Sequence, residues 1–139
     1  MVSRIQNLNS KIQNGIMVFR YKDAFVTVAA ADAEVLVQFY RQLLDREPNP
    51  YIPNVYAEFQ MSGLRLGIFQ PKPTHLQEFE QSAQSGMSLC FEVDDLEGAI
   101  AHLSGMGYPP PGEITTASHG REIYAYDPSG NRLILHQST

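Results

Sequence analysis

The chain has 139 residues, 43% hydrophobic and 18% charged, which suits one domain with its own core. A net charge of -5 with scattered basic residues argues against a nucleic-acid partner, and no apolar run approaches the roughly 20 residues that span a bilayer. The single Cys90 excludes an internal disulfide and a cysteine-built zinc site; M-V-S-R-I-Q-N-L-N-S-K lacks a leader's apolar core, so a reducing cytoplasm is the default expectation.

Residues 1–16 are polar, rich in Asn and Gln, and read as an extension to a single domain over 17–139. The runs I-M-V-F-R-Y and A-F-V-T-V-A-A, between Ile16 and Ala30, predict one or two strands. Asp32 is placed to cap a helix whose Leu36, Phe39, Tyr40, Leu43 and Leu44 share a face. Pro48, Pro50 and Pro53 end it and stiffen the next loop. V-Y-A-E-F-Q-M and L-R-L-G-I-F-Q then predict a hairpin, closed by Pro71 and Pro73. T-H-L-Q-E-F-E-Q-S-A-Q predicts a short linking helix started by Thr74. M-S-L-C-F-E-V is the next strand, and Asp95 caps a second helix with Leu96, Ala99, Ile100 and Leu103 on its apolar side. Gly107 is its stop, Pro109 to Pro111 form a stiff loop, and R-E-I-Y-A-Y with N-R-L-I-L-H-Q predicts a second hairpin.

The plan repeats. Ser62 to Gln70 reads S-G-L-R-L-G-I-F-Q and Ser129 to Gln137 reads S-G-N-R-L-I-L-H-Q, five identities in nine at an offset of 67. The expected fold is therefore α+β: two βαβββ modules, about 23–70 and 87–137, joined by a linker over 71–86. Helices would cover the outer faces and two curved mixed sheets would enclose a cleft.

Three segments carry a family resemblance: A-F-V-T-V-A-A-A-D-A-E-V-L-V-Q-F-Y-R-Q-L-L, F-E-V-D-D-L-E-G-A-I and Y-A-Y-D-P-S-G-N-R-L-I-L-H-Q. With this module order, the chain resembles the vicinal oxygen chelate superfamily over about residues 23 to 137. That group includes glyoxalase I, extradiol dioxygenases, fosfomycin-resistance transferases and bleomycin-resistance proteins. The resemblance implies a divalent metal held by side chains from the first and last strand of each module. Those positions fall on Phe25, Gly67, Ser88 and Ile134, and none is a good ligand. A one-residue slip gives Ala24 or Val26, Leu66 or Ile68, Met87 or Leu89, and Leu133 or Leu135, which restores nothing. The expectation is no metal and no cofactor.

The other side chains that could act as replacement ligands are His119, His136, Glu58, Glu92 and Glu122. A three-residue D-P-S-G-N loop with Gly130 left-handed sets Tyr124 opposite Ile134 and Glu122 opposite His136, the latter reading as a solvated strand-end pair. At Ser62–Gly63, a two-residue loop would set Glu58 opposite Gly67, and a three-residue loop would set Ala57 there. The internal repeat favours the second.

By alternation Phe25, Thr27, Gly67, Phe69, Ser88, Cys90, Tyr124, Ile134 and His136 face the cleft, with Arg65 and Arg132 on the same side. Gly67 would leave room for a ligand ring, aromatics would bury the ligand, Tyr124 and Ser88 would orient it, and Arg65 or Arg132 would meet an anionic group. Cys90, inside an apolar strand, reads as core and not as a nucleophile. His119 or Arg121, in S-H-G-R, would border the cleft. The leading expectation is a metal-free binding protein for a small organic molecule, assembled as a homodimer. The alternatives are a lyase-, isomerase- or dioxygenase-like enzyme with a non-standard or absent metal site, moving protons through Tyr124, His119 or His136, and an interaction protein with a filled cleft.

Overall fold

The computed structural model describes residues 12–13, 16–17 and 19–139; the rest of the expected 1–16 extension lies outside the described residues. Two short strands, β1 (Ile12–Gln13) and β2 (Ile16–Met17), pair with each other. Residues 19–25 carry no strand, so the apolar stretch before Ala30 gives one domain strand, β3 (Val26–Ala29). The first module continues with α1 (Ala33–Leu44), β4 (Tyr51–Ile52), β5 (Tyr56–Met61) and β6 (Leu64–Phe69). The second runs β7 (Leu89–Glu92), α2 (Leu96–Gly105), β8 (Thr115–Ala117), β9 (Gly120–Tyr126) and β10 (Arg132–Ser138). The strand orders are β3-β6-β5-β4 and β7-β10-β9-β8. In each sheet the first and last strands pair in parallel and the other pairs are antiparallel. One topology is used twice, so the two α+β modules expected from the repeat are present.

Both helices start as their sequences predict. Asp32 Oδ1 accepts from Glu34 N at 3.2 Å and Asp95 Oδ1 accepts from Gly98 N at 3.0 Å. The repeat adds a second device. Gln70 Oε1 accepts from Ala33 N at 3.1 Å, and its counterpart Gln137 Oε1 accepts from Leu96 N at 2.8 Å. In each module the residue ending the repeat motif thus binds a free N–H of the first helical turn. This accounts for the shared glutamine.

Leu36, Val37, Phe39 and Tyr40 of α1 are buried. They join Phe59, Leu66 and Ile68 of the first sheet, and Leu103, Ile123, Leu133 and Leu135 of the second module, in one core. Each fully buried side chain of this size contributes about 1.5–3 kcal/mol. The core lies on the helix side of both sheets, and the sheets do not close on each other. Their opposite faces stay open, with Phe25 at 46% and Tyr124 at 49% exposure.

Two local expectations are corrected. The linking segment forms two 3-10 turns, Leu76–Phe79 and Ser82–Gln84, instead of an α-helix. It has too few apolar residues for a buried stripe. Arg132 also ties its backbone down, donating to the carbonyls of Ala83, Ser85 and Met87. The first hairpin has a two-residue loop, with Met61 paired to Leu64 and Glu58 to Gly67. In the second hairpin the Asp127 carboxylate accepts from Ser129 N, Asn131 N and Asn131 Nδ2, which holds a wider turn with Gly130 at φ 85°. The first module has Gln60 and Leu64 at the equivalent positions, so nothing builds the wider turn.

Candidate functional site: two open sheet faces and a junction cavity

The structure divides the sequence-predicted site residues among separate places. On the open face of the first module, Glu58 lies across from Gly67 and reaches the same side of the sheet. Tyr56 Oη donates to Glu58 Oε2 at 2.7 Å, Gln60 Nε2 to Oε1 at 2.9 Å, and Arg65 Nη1 to Oε1 at 3.4 Å. Arg65 also pairs with Asp23, and its guanidinium sits 4.6 Å from the centre of the Phe25 ring. The Tyr56 hydrogen bond, then that of Gln60, holds the Glu58 carboxyl below its usual range. Partial burial, then the Glu58 bond and charge, push the Tyr56 phenol up to about 12.

This face is already filled at its centre. A methyl group placed on Gly67 would meet Tyr56 Oη at 2.7 Å and Thr27 Cγ2 at 3.2 Å. The space that Gly67 was expected to leave for a ligand ring holds the Tyr56 ring. Phe69 is half-buried and takes the edge of Phe79 from the linking segment, with ring centres 5.4 Å apart.

The open face of the second module differs. The register pairs Ile134 with Tyr124 and His136 with Glu122, as the three-residue turn requires. On the other side of β10, Cys90 pairs with Ile134 and Glu92 with His136. Alternation points all six side chains away from the core. Cys90 is exposed, not core, because its core-facing neighbours are Leu89 and Phe91. Burial, then the charges of Glu122 and Glu92, push its thiol up, away from the thiolate.

At the end of this sheet three side chains link in series. His136 Nδ1 donates to Glu92 Oε1 at 2.7 Å, and its Nε2 lies 3.0 Å from His119 Nδ1. The two imidazole rings stack with centres 5.1 Å apart. Glu92 Oε2 accepts from Ser138 N and Oγ, each at 2.8 Å. The His136 bond, then those of Ser138, hold the Glu92 carboxyl at about 2. Glu122, the sequence-predicted partner of His136, makes no hydrogen bond with it. The partner is Glu92, from the strand that pairs in parallel with β10. A reading of the hairpin alone misses that neighbour.

Between the modules lies a cavity of about 150 Å³, lined by Val26, Thr27, Tyr40, Ser88, Leu89 and Arg132, among others. It brings together Thr27 and Ser88 of the predicted set. The Ser88 hydroxyl is taken up by Arg132 Nε at 2.7 Å. Arg132, like Arg65, is committed to partners within the chain. Arg121 is as well, through a bidentate pair with Glu97 at 2.6 and 2.9 Å.

These side chains do not suit the metal that the sequence resemblance implies. Phe25 lies against a guanidinium, Gly67 lies under Tyr56, Ser88 accepts from Arg132, and Ile134 has no donor atom. Among the described residues, no group of three or more His, Cys, Asp or Glu is arranged to hold a metal ion. The donor set does not fit a divalent cation at the family's positions. Among the described residues no helix is long and apolar enough to cross a membrane.

Comparison with known proteins agrees with the architecture. No functionally curated protein matches the chain. The glyoxalase/bleomycin resistance protein of Catenulispora acidiphila is 24% identical; the match covers 84% of this chain and 98% of that one, with a TM-score of 0.62. A glyoxalase-related enzyme from Fulvimarina pelagi is 18% identical, covering 85% and 89%, with a TM-score of 0.67. The genomically encoded fosfomycin resistance protein of Listeria monocytogenes, solved with Mn(II) and sulfate ion, is 17% identical, covering 87% and 93%, with a TM-score of 0.66. At these identities the solved structures speak to the fold alone. The sequence profile of one family matches residues 24–135, most of the chain. The chain belongs to the Glyoxalase/Bleomycin resistance protein/Dioxygenase superfamily.

Proposed function

We propose that this protein binds a small organic molecule without a divalent metal at the superfamily's usual positions. The single observation that carries this reading is the exchange of all four of those positions for Phe25, Gly67, Ser88 and Ile134, combined with an aromatic face left open. The ligand lies against Tyr124, Ile134 and Cys90 of the second module, where Tyr124 is 49% exposed. Tyr124 supplies ring surface and a hydroxyl, and Ile134 supplies apolar area.

An open sheet face is a poor pocket by itself, so the reading includes a homodimer. The first module's face in one copy covers the second module's face in its partner and closes the cleft. Phe25, 46% exposed and set against Arg65 of that face, supplies apolar contact, and exposed Phe19 and Tyr21, at 78% and 71%, precede it in the chain. In this arrangement Phe25, Thr27, Arg65 and Phe69 of the first module serve as the far wall, and His136 of the second lies at the rim.

The test is a fragment and metabolite screen by thermal shift on the full chain, with binders mapped by amide NMR. Binders that perturb β9 and β10 and are lost in Tyr124→Ala support the reading. Binders that perturb only the junction cavity, or keep their affinity in Tyr124→Ala, contradict it. Light scattering at micromolar concentration should report a dimer, and a monomer contradicts the closed cleft.

A further inference from the structure

The end of the second sheet presents a histidine whose neutral tautomer follows from its hydrogen-bond partners. The Glu92 carboxylate can only accept, so the proton of His136 sits on Nδ1. A neutral His136 then offers Nε2 as an acceptor. The nitrogen facing it at 3.0 Å, His119 Nδ1, must donate. Neutral His119 is left with a bare lone pair on Nε2, and its ring is exposed. The chain also makes room for this arrangement. Gly120 has φ +146°, and a methyl group there would run into the Gln137 carbonyl and come within 3.0 Å of His136 Nε2. Glu92 is fixed from its other side by two bonds from Ser138.

We propose that His119 Nε2 is a nucleophile for small activated acyl compounds, with His136 and Glu92 as positioning residues that fix its proton on Nδ1. The Nε2 lone pair bonds to the acyl carbon and the ester C–O bond breaks, releasing the alkoxide or phenolate. The Nδ1 proton of His119 passes to His136 Nε2, and the resulting imidazolium is balanced by Glu92. Water then adds to the acyl-imidazole, the carboxylic acid leaves while the second water proton neutralises the released alkoxide or phenolate, and His136 returns its proton to His119 Nδ1. Glu92 holds His136 in orientation, as carboxylates orient imidazoles in other hydrolytic sites. The proposal stands apart from ligand binding at Tyr124, so an empty ligand screen leaves it untouched.

The first test is long-range 1H–15N correlation of the histidine rings in the full chain, above the pH where they are protonated. The expected result is His119 with its proton on Nδ1, the minor form of free histidine. A proton on Nε2 overturns the proposal without any variant. The second test is p-nitrophenyl acetate hydrolysis. Wild type should exceed His119→Asn by on the order of 100-fold. Glu92→Ala and His136→Asn should each lose at least about tenfold with His119 intact. They should also return His119 to the Nε2–H form, a change that a merely structural role would not produce. His75→Asn, far along the linking segment, should match wild type. A His119→Asn rate equal to wild type, or an acetyl group located on Cys90 by mass spectrometry, overturns the proposal.

Discussion

The contact between Tyr40 and Asp127 sets a measurable share of the stability. Tyr40 is 0% exposed and Asp127 4%, and the phenol of α1 donates to Asp127 Oδ2 at 2.7 Å. This bond joins the first module's helix to the second module's hairpin turn, across 87 residues. The same carboxylate takes Ser129 N at 2.9 Å, Asn131 N at 3.0 Å and Asn131 Nδ2 at 2.8 Å. Tyr40→Phe keeps the ring and removes one of four donors to a buried charge. Hydrogen bonds to charged groups contribute about 1.5–3 kcal/mol, so a loss near 2 kcal/mol is expected. That corresponds to roughly 4–8 °C in Tm at about 2–4 °C per kcal/mol. Asp127→Ala removes the acceptor, leaves the buried Tyr40 hydroxyl without its partner and frees the turn, at about 3–4 kcal/mol. The double variant should fall short of additivity by about 1–2 kcal/mol. Urea unfolding followed by circular dichroism, with unchanged m-values, reads all three. Burial, then the Asp127 charge and bond, raise the Tyr40 phenol well above its ordinary 10.0. The unfolded chain therefore ionises first, and stability falls as pH rises past that value. Tyr40→Phe should flatten this alkaline limb. A Tyr40→Phe loss under about 0.5 kcal/mol would refute the reasoning.

Three further outcomes follow from single contacts. Glu92 and Glu97 both titrate at about 2, the first through His136 and Ser138, the second through Arg121, so their contribution is present above the ordinary 4.5 and is lost as pH falls from there toward 2. The combined variant Glu92→Gln, Glu97→Gln should show a flatter acid limb in the urea midpoint, and an unchanged limb would contradict this. Gly67→Ala must push Tyr56 off Glu58 and should cost about 1–3 kcal/mol, falling toward zero in a Tyr56→Ala background; equal costs in both backgrounds would count against the filled face. Arg132→Gln releases the carbonyls of Ala83, Ser85 and Met87, so hydrogen exchange or subtilisin cleavage should open residues 82–88 first, and unchanged protection there would mean the guanidinium does not hold the linker.

The features legible in the sequence were those fixed by local chemistry. Asp32 and Asp95 declared both helix starts, Gly107 the end of the second, and the nine-residue repeat the doubled topology. The second hairpin's register could be read because Asp127, Gly130 and Asn131 build a defined turn. The first hairpin's could not, since the repeat suggested a turn whose side-chain supports are absent at Gln60 and Leu64. Contacts between strands distant in sequence stayed hidden. Tyr56 fills the place over Gly67 because the register slips by one, and Glu92 reaches His136 because β7 pairs in parallel with β10. Core residues on α1 and α2 join the modules on the helix sides of the two sheets.

The central claim is that the superfamily's metal positions are given over to other uses in this chain. Elemental analysis of the purified, untagged protein, repeated after loading with nickel, zinc, manganese and iron, tests it most directly. The account predicts no stoichiometric metal under any of these conditions. About one metal ion per chain, lost on mutating Glu58, Glu122 or His136, would contradict it and assign a rebuilt site to those side chains.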